Sequence, residues 1–204
     1  NKLNINGFNV NFLAKKFSTP IYCYSLNKIK KNVLNFKRNF KKINPLICFA
    51  VKANSNNSIL KEIRNLGLGA DVVSIGELMK ALKAGIKPEK IVFSGVGKTK
   101  SEIEYAVNKK ILLINTESKS EILEIEKIAK QKKTAVNIGI RLNPNIDSET
   151  ISQISTGKKE NKFGIDEKVF LQLVKYVKNS KNLSLKCLSV HIGSQILNYR
   201  PYQK

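Results

Sequence analysis

The chain has 204 residues, of which 42% are hydrophobic and 25% charged, so it is long enough for a large core and is not a disordered protein. The formal net charge is +22, but the lysines are spread along the whole chain with glutamates between them. This dispersed charge does not predict a nucleic-acid partner, and we infer from it only a weak attraction for small anionic ligands.

Cysteine content and hydropathy further restrict the class of protein to which this chain can belong. The three cysteines are far apart and lie in apolar runs, which predicts free, buried thiols in a reducing compartment. With one histidine and no paired-cysteine motif, no metal site is predicted. No apolar stretch reaches membrane-spanning length and no signal peptide opens the chain, so we expect a cytoplasmic protein without a membrane partner. Both ends of the chain are expected to be cut.

The first part of the chain is predicted to be an entry segment. Residues 1–20 mix apolar and polar positions, and Ile21–Tyr24 is predicted to form a short strand. Ser25 is a suitable N-cap for a helix that carries apolar residues at helical spacing, namely Ile29, Val33, Phe36 and Phe40.

From Leu46 onward, short apolar runs alternate with amphipathic helices. The predicted strands are Leu46–Val51, Ala70–Val73, Lys90–Phe93, Ile111–Ile114, Val136–Leu142 and Leu185–Ile192. The predicted helices are Ser58–Leu66, Gly76–Ala84, Ser101–Asn108, Lys119–Lys132 and Glu167–Asn179. Such alternation indicates a parallel sheet with crossover helices, and strands without inside/outside alternation fit a sheet covered on both faces.

The absence of a dinucleotide-binding glycine fingerprint favours an α/β fold of the (β/α)8 TIM-barrel type, with an open Rossmann-like sheet as the alternative. About six barrel strands are present, and the missing ones are expected beyond Lys204. We predict an N-terminal segment of residues 1–24 and an incomplete barrel domain of residues 25–204. The long connection Asn143–Gly164 is predicted to be a lid or substrate-side loop, because it leaves the C-terminal end of a strand.

Polar residues stand where the apolar runs stop, and a barrel brings those positions to one rim. An amine, two carboxylates, a guanidinium and the single imidazole are therefore expected in one cleft. Lys52 either extends to solvent from the core or serves chemistry, and His191 is either a satisfied core residue or a functional one. Ser74 and Glu77 fit helix caps equally well. The strand-end residues are Lys52, Asp71, Ser74, Glu77, Ser94, Asn115, Arg141, Asn143, His191, Ser194 and Gln195.

One motif imitates a nucleotide-binding loop. The run Ser94–Thr99 reads SGVGKT, but a Walker A loop requires a glycine where this chain has Val92, inside a strand. The turn is therefore not a P-loop; it either binds a phosphate group or caps the next helix.

Six motifs in order resemble the fold-type III pyridoxal-phosphate-dependent decarboxylases. The STG…ENKFGI and HIGSQ stretches are similar to the diaminopimelate decarboxylase branch of that family. Phe49 stands where the family usually has tyrosine, and Ile75 where it commonly has glycine. The motifs are Phe49–Asn54, Ala70–Leu78, Ser94–Thr99, Arg141–Pro144, Ser155–Ile165 and His191–Gln195.

The resemblance implies an alanine racemase-like barrel that binds pyridoxal 5'-phosphate, with Lys52 carrying the cofactor covalently. It implies that Asp71 lies near the attachment point with Glu77 supporting that region, and that Arg141 lines the cofactor's surroundings. It further implies that His191 stacks on the pyridine ring, that Ser194 positions the ring or the phosphate, and that residues 143–164 form a mobile loop.

The implied reaction is decarboxylation of the amino acid meso-2,6-diaminopimelate to L-lysine and CO2, the last step of lysine biosynthesis. A decarboxylase of ornithine, arginine or carboxynorspermidine and a non-catalytic cofactor-binding barrel are the alternatives. The family also implies a homodimer with shared active sites and a C-terminal β-domain that holds the remaining cofactor and substrate groups. These 204 residues alone are therefore expected to be inactive.

Overall fold

The computed structural model describes residues 3–147, 156 and 163–203. The chain opens with an antiparallel hairpin of β1 (Asn4–Ile5) and β2 (Phe8–Asn9), followed by α1 (Val10–Phe17). Helix α2 (Leu26–Asn39) begins as predicted at Ser25, whose hydroxyl accepts from the Lys28 amide at 3.1 Å.

The predicted strand at Ile21–Tyr24 is wrong. This stretch forms no strand, and Tyr22 is 91% exposed. Cys23, which was predicted to be buried, is exposed as well. Its β-branched and aromatic residues favour an extended backbone, but a strand also needs a neighbour to complete its hydrogen bonds, and none of the described strands lies beside it.

The main sheet has seven strands among the described residues, and each pair in it is parallel. Five consecutive strands are neighbours in chain order, and the last of them, β7, also pairs with β8 and β9. The strands are β3 (Cys48–Ala50), β4 (Gly69–Val72), β5 (Ile91–Phe93), β6 (Leu113–Thr116), β7 (Val136–Asn143), β8 (Ile165–Asp166) and β9 (Leu183–Val190).

This strand order confirms the predicted barrel-type α/β fold. A doubly wound sheet reverses its order at a switch point, whereas β3 to β7 and then β9 follow one another without reversal. These are the six predicted barrel strands; the two-residue β8 was not predicted because so short a segment carries no periodic signal.

Five crossover helices lie within two residues of their predicted bounds. Three of them begin at a serine or threonine whose hydroxyl accepts from the amide three residues on, at Ser74, Thr99 and Ser118. The helices are α3 (Asn57–Asn65), α4 (Ile75–Lys83), α5 (Lys100–Asn108), α6 (Lys119–Gln131) and α7 (Glu167–Asn179). No helix in the described ranges is both long enough and apolar enough to cross a membrane.

The two faces of the sheet differ in size and polarity. Paired residues of parallel strands point to the same side, so the register places most of the large apolar residues on the face that packs against the helices. The opposite face carries mainly small or polar residues, with Val92 and Leu113 as apolar exceptions; among the small or polar ones are Ala50, Asp71, Asn115, Gly139 and Arg141. A Cβ at Gly139 would lie 2.7 Å from Asn115 Oδ1, so this inner face is closely packed there.

Candidate active site

Four of the predicted site residues lie at one rim of the sheet. Lys52 follows β3 in the single turn Val51–Ala53, Asp71 is in β4, Arg141 is in β7 and His191 directly follows β9. Burial raises the pKa of Asp71 above its ordinary value, while a hydrogen bond from Ser94 and the nearby charges of Lys52 and Arg141 lower it. Because the carboxyl ends of parallel strands meet at one edge of a sheet, these four residues stand on the same rim.

Asp71 is oriented by a neighbouring strand. Ser94, which directly follows β5, donates its hydroxyl to Asp71 Oδ1 at 2.6 Å. The same carboxylate acts on Cys48: burial and the Asp71 charge raise the pKa of this thiol to about 11, so it stays protonated at neutral pH.

Replacing Ser94 by alanine should raise the pKa of Asp71 further, because the lost hydrogen bond favours the charged form. The folded-state pKa already lies above the unfolded value of 3.8, so the stabilisation from this group is complete below that pH and is lost as pH rises through the folded-state pKa. Ser94→Ala should extend this loss to higher pH. Carboxyl NMR titration of Asp71 measures the shift, with the exposed Ser58→Ala as control; a lowered or unchanged pKa contradicts the assignment.

Arg141 is held by a carboxylate that sequence reasoning missed. Its Nη1 lies 2.9 Å and 3.2 Å from the two carboxylate oxygens of Glu117, and its Nη2 donates to the carbonyl oxygen of His191 at 3.3 Å. Both side chains are buried, and the guanidinium stacks over the Phe163 ring at 5.0 Å. Its place in the sequence could have indicated Glu117, because it directly follows β6 in the way that the predicted site residues follow their own strands.

His191 has a defined partner for one ring nitrogen. Thr156 Oγ1 lies 2.7 Å from His191 Nδ1 and 2.7 Å from the His191 carbonyl oxygen. When this hydroxyl donates to the carbonyl oxygen, it accepts from Nδ1–H, which leaves Nε2 without a proton in the neutral ring. Burial and the charges of Arg141 and Lys52 lower the pKa of His191, so the ring is neutral at neutral pH.

Glu77 and Ser194 have different surroundings from these four residues. The Glu77 carboxylate accepts from the Val73 amide at 2.9 Å, and the Ser74 hydroxyl accepts from the Glu77 amide, so the structure selects the capping alternative for both. Glu77 thereby supports the turn that follows the Asp71 strand. Ser194 lies in the exposed turn three residues after His191.

The turn Ser94–Thr99 caps a helix, which is one of the two roles predicted for it from the sequence. Lys98 Nζ is directed inward, where it donates to the carbonyl oxygens of Gly95 and Asn115 and to Glu121 at 2.6–2.9 Å. Its side chain is only 2% exposed, so this amine is committed to the protein's own acceptors.

The predicted loop 143–164 falls largely outside the described residues, as does most of the STG…ENKFGI motif. The described ends are close together, since the Asn143 side-chain amide donates to the Phe163 carbonyl oxygen at 3.1 Å. The contacts of Thr156 with His191 also bring one residue of this segment to the rim.

A barrel-type sheet with a lysine, a carboxylate, an arginine and an imidazole at its C-terminal rim is the arrangement expected of a protein that uses a lysine amine for covalent chemistry. Residues 26–204 match the family model for the pyridoxal-dependent decarboxylases, described as their pyridoxal-binding domain. The chain therefore belongs to the pyridoxal-dependent decarboxylase family, which confirms the resemblance.

Two curated relatives are both named as one enzyme of that family. The diaminopimelate decarboxylase of Helicobacter pylori strain J99 is 52% identical over 95% of this chain and 48% of its own length. The enzyme of that name from Aquifex aeolicus is 42% identical over 100% of this chain and 48% of its length. The chain thus spans about half the length of the curated relatives it matches.

Solved structures of similar proteins superpose on this chain. Helicobacter pylori diaminopimelate decarboxylase complexed with L-lysine superposes with a TM-score of 0.92 at 50% identity, covering 95% of this chain and 49% of that one. The diaminopimelate decarboxylase of M. jannaschii, also in complex with L-lysine, gives 0.91 at 35% identity over 98% of this chain and 48% of that one.

Proposed function

We propose that the protein decarboxylates meso-2,6-diaminopimelate to L-lysine and CO2 with pyridoxal 5'-phosphate. The observation that carries the proposal is that Lys52, Asp71, Arg141 and His191 stand at one rim of a single parallel sheet, with Arg141 donating to the His191 carbonyl oxygen. It occurs in a chain that is 52% identical over most of its length to a diaminopimelate decarboxylase. The L-lysine in the two solved relatives supports the product, since L-lysine is what this decarboxylation would release.

The described residues fit the cofactor in three respects. Lys52 places a primary amine at the rim, the neutral His191 ring can pack flat against an aromatic ring, and the small side chain of Ala50 lies on the same sheet face as Asp71. When bound, pyridoxal phosphate supplies an electron sink for the pair released as CO2 leaves.

Each residue of the rim would have a distinct role in binding the cofactor or in orienting its neighbours. Lys52 Nζ is the covalent attachment point, and Asp71 holds a negative charge facing it. Ser94 fixes the rotamer of Asp71 through its hydrogen bond. Arg141 holds the backbone of His191, so the imidazole keeps its orientation at the rim. Glu77 maintains the turn after the Asp71 strand, and Ser194 is proposed to contact the ring or phosphate.

Domain division and assembly are part of the same proposal. A boundary between residues 1–24 and 25–204 is supported by the family match, which starts at residue 26. A homodimer with shared active sites and a cytoplasmic location remain proposals; light scattering of the purified protein tests the first of these.

Substrate choice separates this function from its alternatives. With pyridoxal phosphate, CO2 release from meso-diaminopimelate should exceed that from ornithine, arginine and carboxynorspermidine by about 100-fold or more in kcat/KM, because a site built to bind a polar group rejects substrates that leave it unpaired. A preference for any of the other three amino acids would identify the alternative decarboxylase. Cofactor attachment at Lys52 without CO2 release from any substrate would identify a non-catalytic barrel.

A further inference from the structure

Glu117 lies at the centre of a buried polar network behind the rim. Its carboxylate receives the Arg141 guanidinium and, through Oε2, the backbone amide of Gly164 at 2.9 Å. Glu117 is only 6% exposed, so these two donors replace the water that the charge has lost. One carboxylate thus joins β7 to the residues that precede β8.

The position of Glu117 is itself determined by its neighbours. Its backbone amide donates to Glu121 Oε2 at 2.7 Å, and Glu121 Oε1 accepts from the buried Lys98 at 2.7 Å. The residue therefore has little freedom to follow Arg141 if Arg141 moves. Arg141, in turn, binds Glu117 through Nη1 and the His191 carbonyl oxygen through Nη2, so it stands between Glu117 and His191.

We propose that Glu117 is a positioning residue with two roles. It holds Arg141 against the backbone of His191, and it anchors Phe163–Gly164, which directly follow residues 144–162, to the same carboxylate. The catalytic importance of this positioning rests on the proposed function, because Glu117 acts through Arg141. In the contacts described above, Glu117 touches none of the other rim side chains. Its physical consequence, a shared anchor for the rim and the segment end, can be measured without cofactor or substrate.

Glu117→Gln is the test variant, because glutamine keeps the size of the side chain but offers one acceptor oxygen and presents an NH2 group to donors. The Gly164 amide should then exchange with solvent at least about tenfold faster, since its acceptor is weakened or lost. The matched control is Glu124→Gln: Glu124 lies half-buried in α6, and its side chain makes no hydrogen bond or ion pair within the described ranges.

The single histidine of the chain provides a second readout. Lys52, Asp71 and Arg141 are the charged groups that act on His191, and Thr156 contacts its ring. In Glu117→Gln, Arg141 is no longer held beside His191, so its charge lowers the His191 pKa less and the value measured by NMR should rise toward 6.5. A general loosening of the rim would raise the pKa in an Arg141→Gln background as well, because burial also lowers it. In an Arg141→Gln background, Glu117→Gln should leave the His191 titration unchanged.

Activity completes the experiment. In the full-length protein kcat/KM should fall about 100-fold in Glu117→Gln, as expected for a displaced positioning group, while pyridoxal phosphate still attaches to Lys52 and Glu117→Asp recovers part of the activity. An unchanged Gly164 exchange rate, a lowered or unchanged His191 pKa, or the same His191 shift in the Arg141→Gln background would each overturn the inference. If the wild-type protein forms no adduct at Lys52, the proposed function fails, and the two ligand-free readouts still decide the role of Glu117.

Discussion

Lys52→Ala should abolish covalent attachment of pyridoxal phosphate. We expect the absorbance band near roughly 420 nm to disappear, the adduct trapped by borohydride to vanish from the Lys52 peptide in mass spectrometry, and CO2 release to fall on the order of 10⁴-fold or more. The size of the effect follows from chemistry, because no other group can replace a primary amine that attacks an aldehyde carbon.

The structure explains why Lys52 is the candidate among so many lysines. Lys98 also follows a strand of the sheet, but its amine is buried among Gly95, Asn115 and Glu121. Lys52 is exposed at the rim, and its charge acts on both Asp71 and His191. Removing that charge should also raise the pKa of His191 in the cofactor-free protein, which NMR can measure.

Lys61→Ala, which removes an exposed lysine of α3, is the matched control and should keep both the adduct and the activity. If Lys52→Ala retained the borohydride-trapped adduct at another lysine together with full activity, the attachment site would have to be reassigned. If the adduct were lost but the His191 titration did not change, Lys52 would bind the cofactor without facing His191.

Lys98→Met should give the largest loss of stability. The substitution leaves the Glu121 carboxylate buried without its counter-ion and leaves the carbonyl oxygens of Gly95 and Asn115 without this donor. Breaking a buried ion pair on one side costs about 3–5 kcal/mol of unfolding free energy, because the remaining charge keeps its desolvation penalty. Denaturant unfolding of the full-length protein measures the change.

The chain supplies a close control two residues away. Lys100 pairs with Glu104 at 3.7 Å, but its side chain is 56% exposed, so Lys100→Met should change the unfolding free energy by less than about 1 kcal/mol. Adding Glu121→Gln to Lys98→Met should recover part of the loss, since it removes the unpaired charge. Equal small effects of Lys98→Met and Lys100→Met would show that the buried pair contributes little.

Much of the fold could be predicted because its signals are local. Alternating apolar runs and amphipathic helices specify parallel crossover units, and caps such as Ser25, Ser74 and Thr99 mark helix starts within a few residues. Because parallel strands present their C-terminal ends at one rim, the strand pattern also predicts that Lys52, Asp71, Arg141 and His191 lie at the same rim.

The errors and omissions arise from contacts between distant segments. Ile21–Tyr24 has the composition of a strand but lacks a neighbouring strand. Glu117 follows a strand like the predicted site residues, but its pairing with Arg141 joins segments 24 residues apart.

By itself, the sequence determined the alternation of strands and crossover helices, the order of the rim residues and membership of the pyridoxal-dependent decarboxylase family. Each of these depends on residue types at fixed local spacing. Only the tertiary structure decided that Lys98 is a buried ion-pair partner and that Glu117 holds Arg141. Arg141 contacts Glu117 and His191 across separations of 24 and 50 residues, and no local pattern specifies which distant donor meets which acceptor. Burial decides these pairings, because a charge removed from water must find a partner among the groups that the fold brings to it.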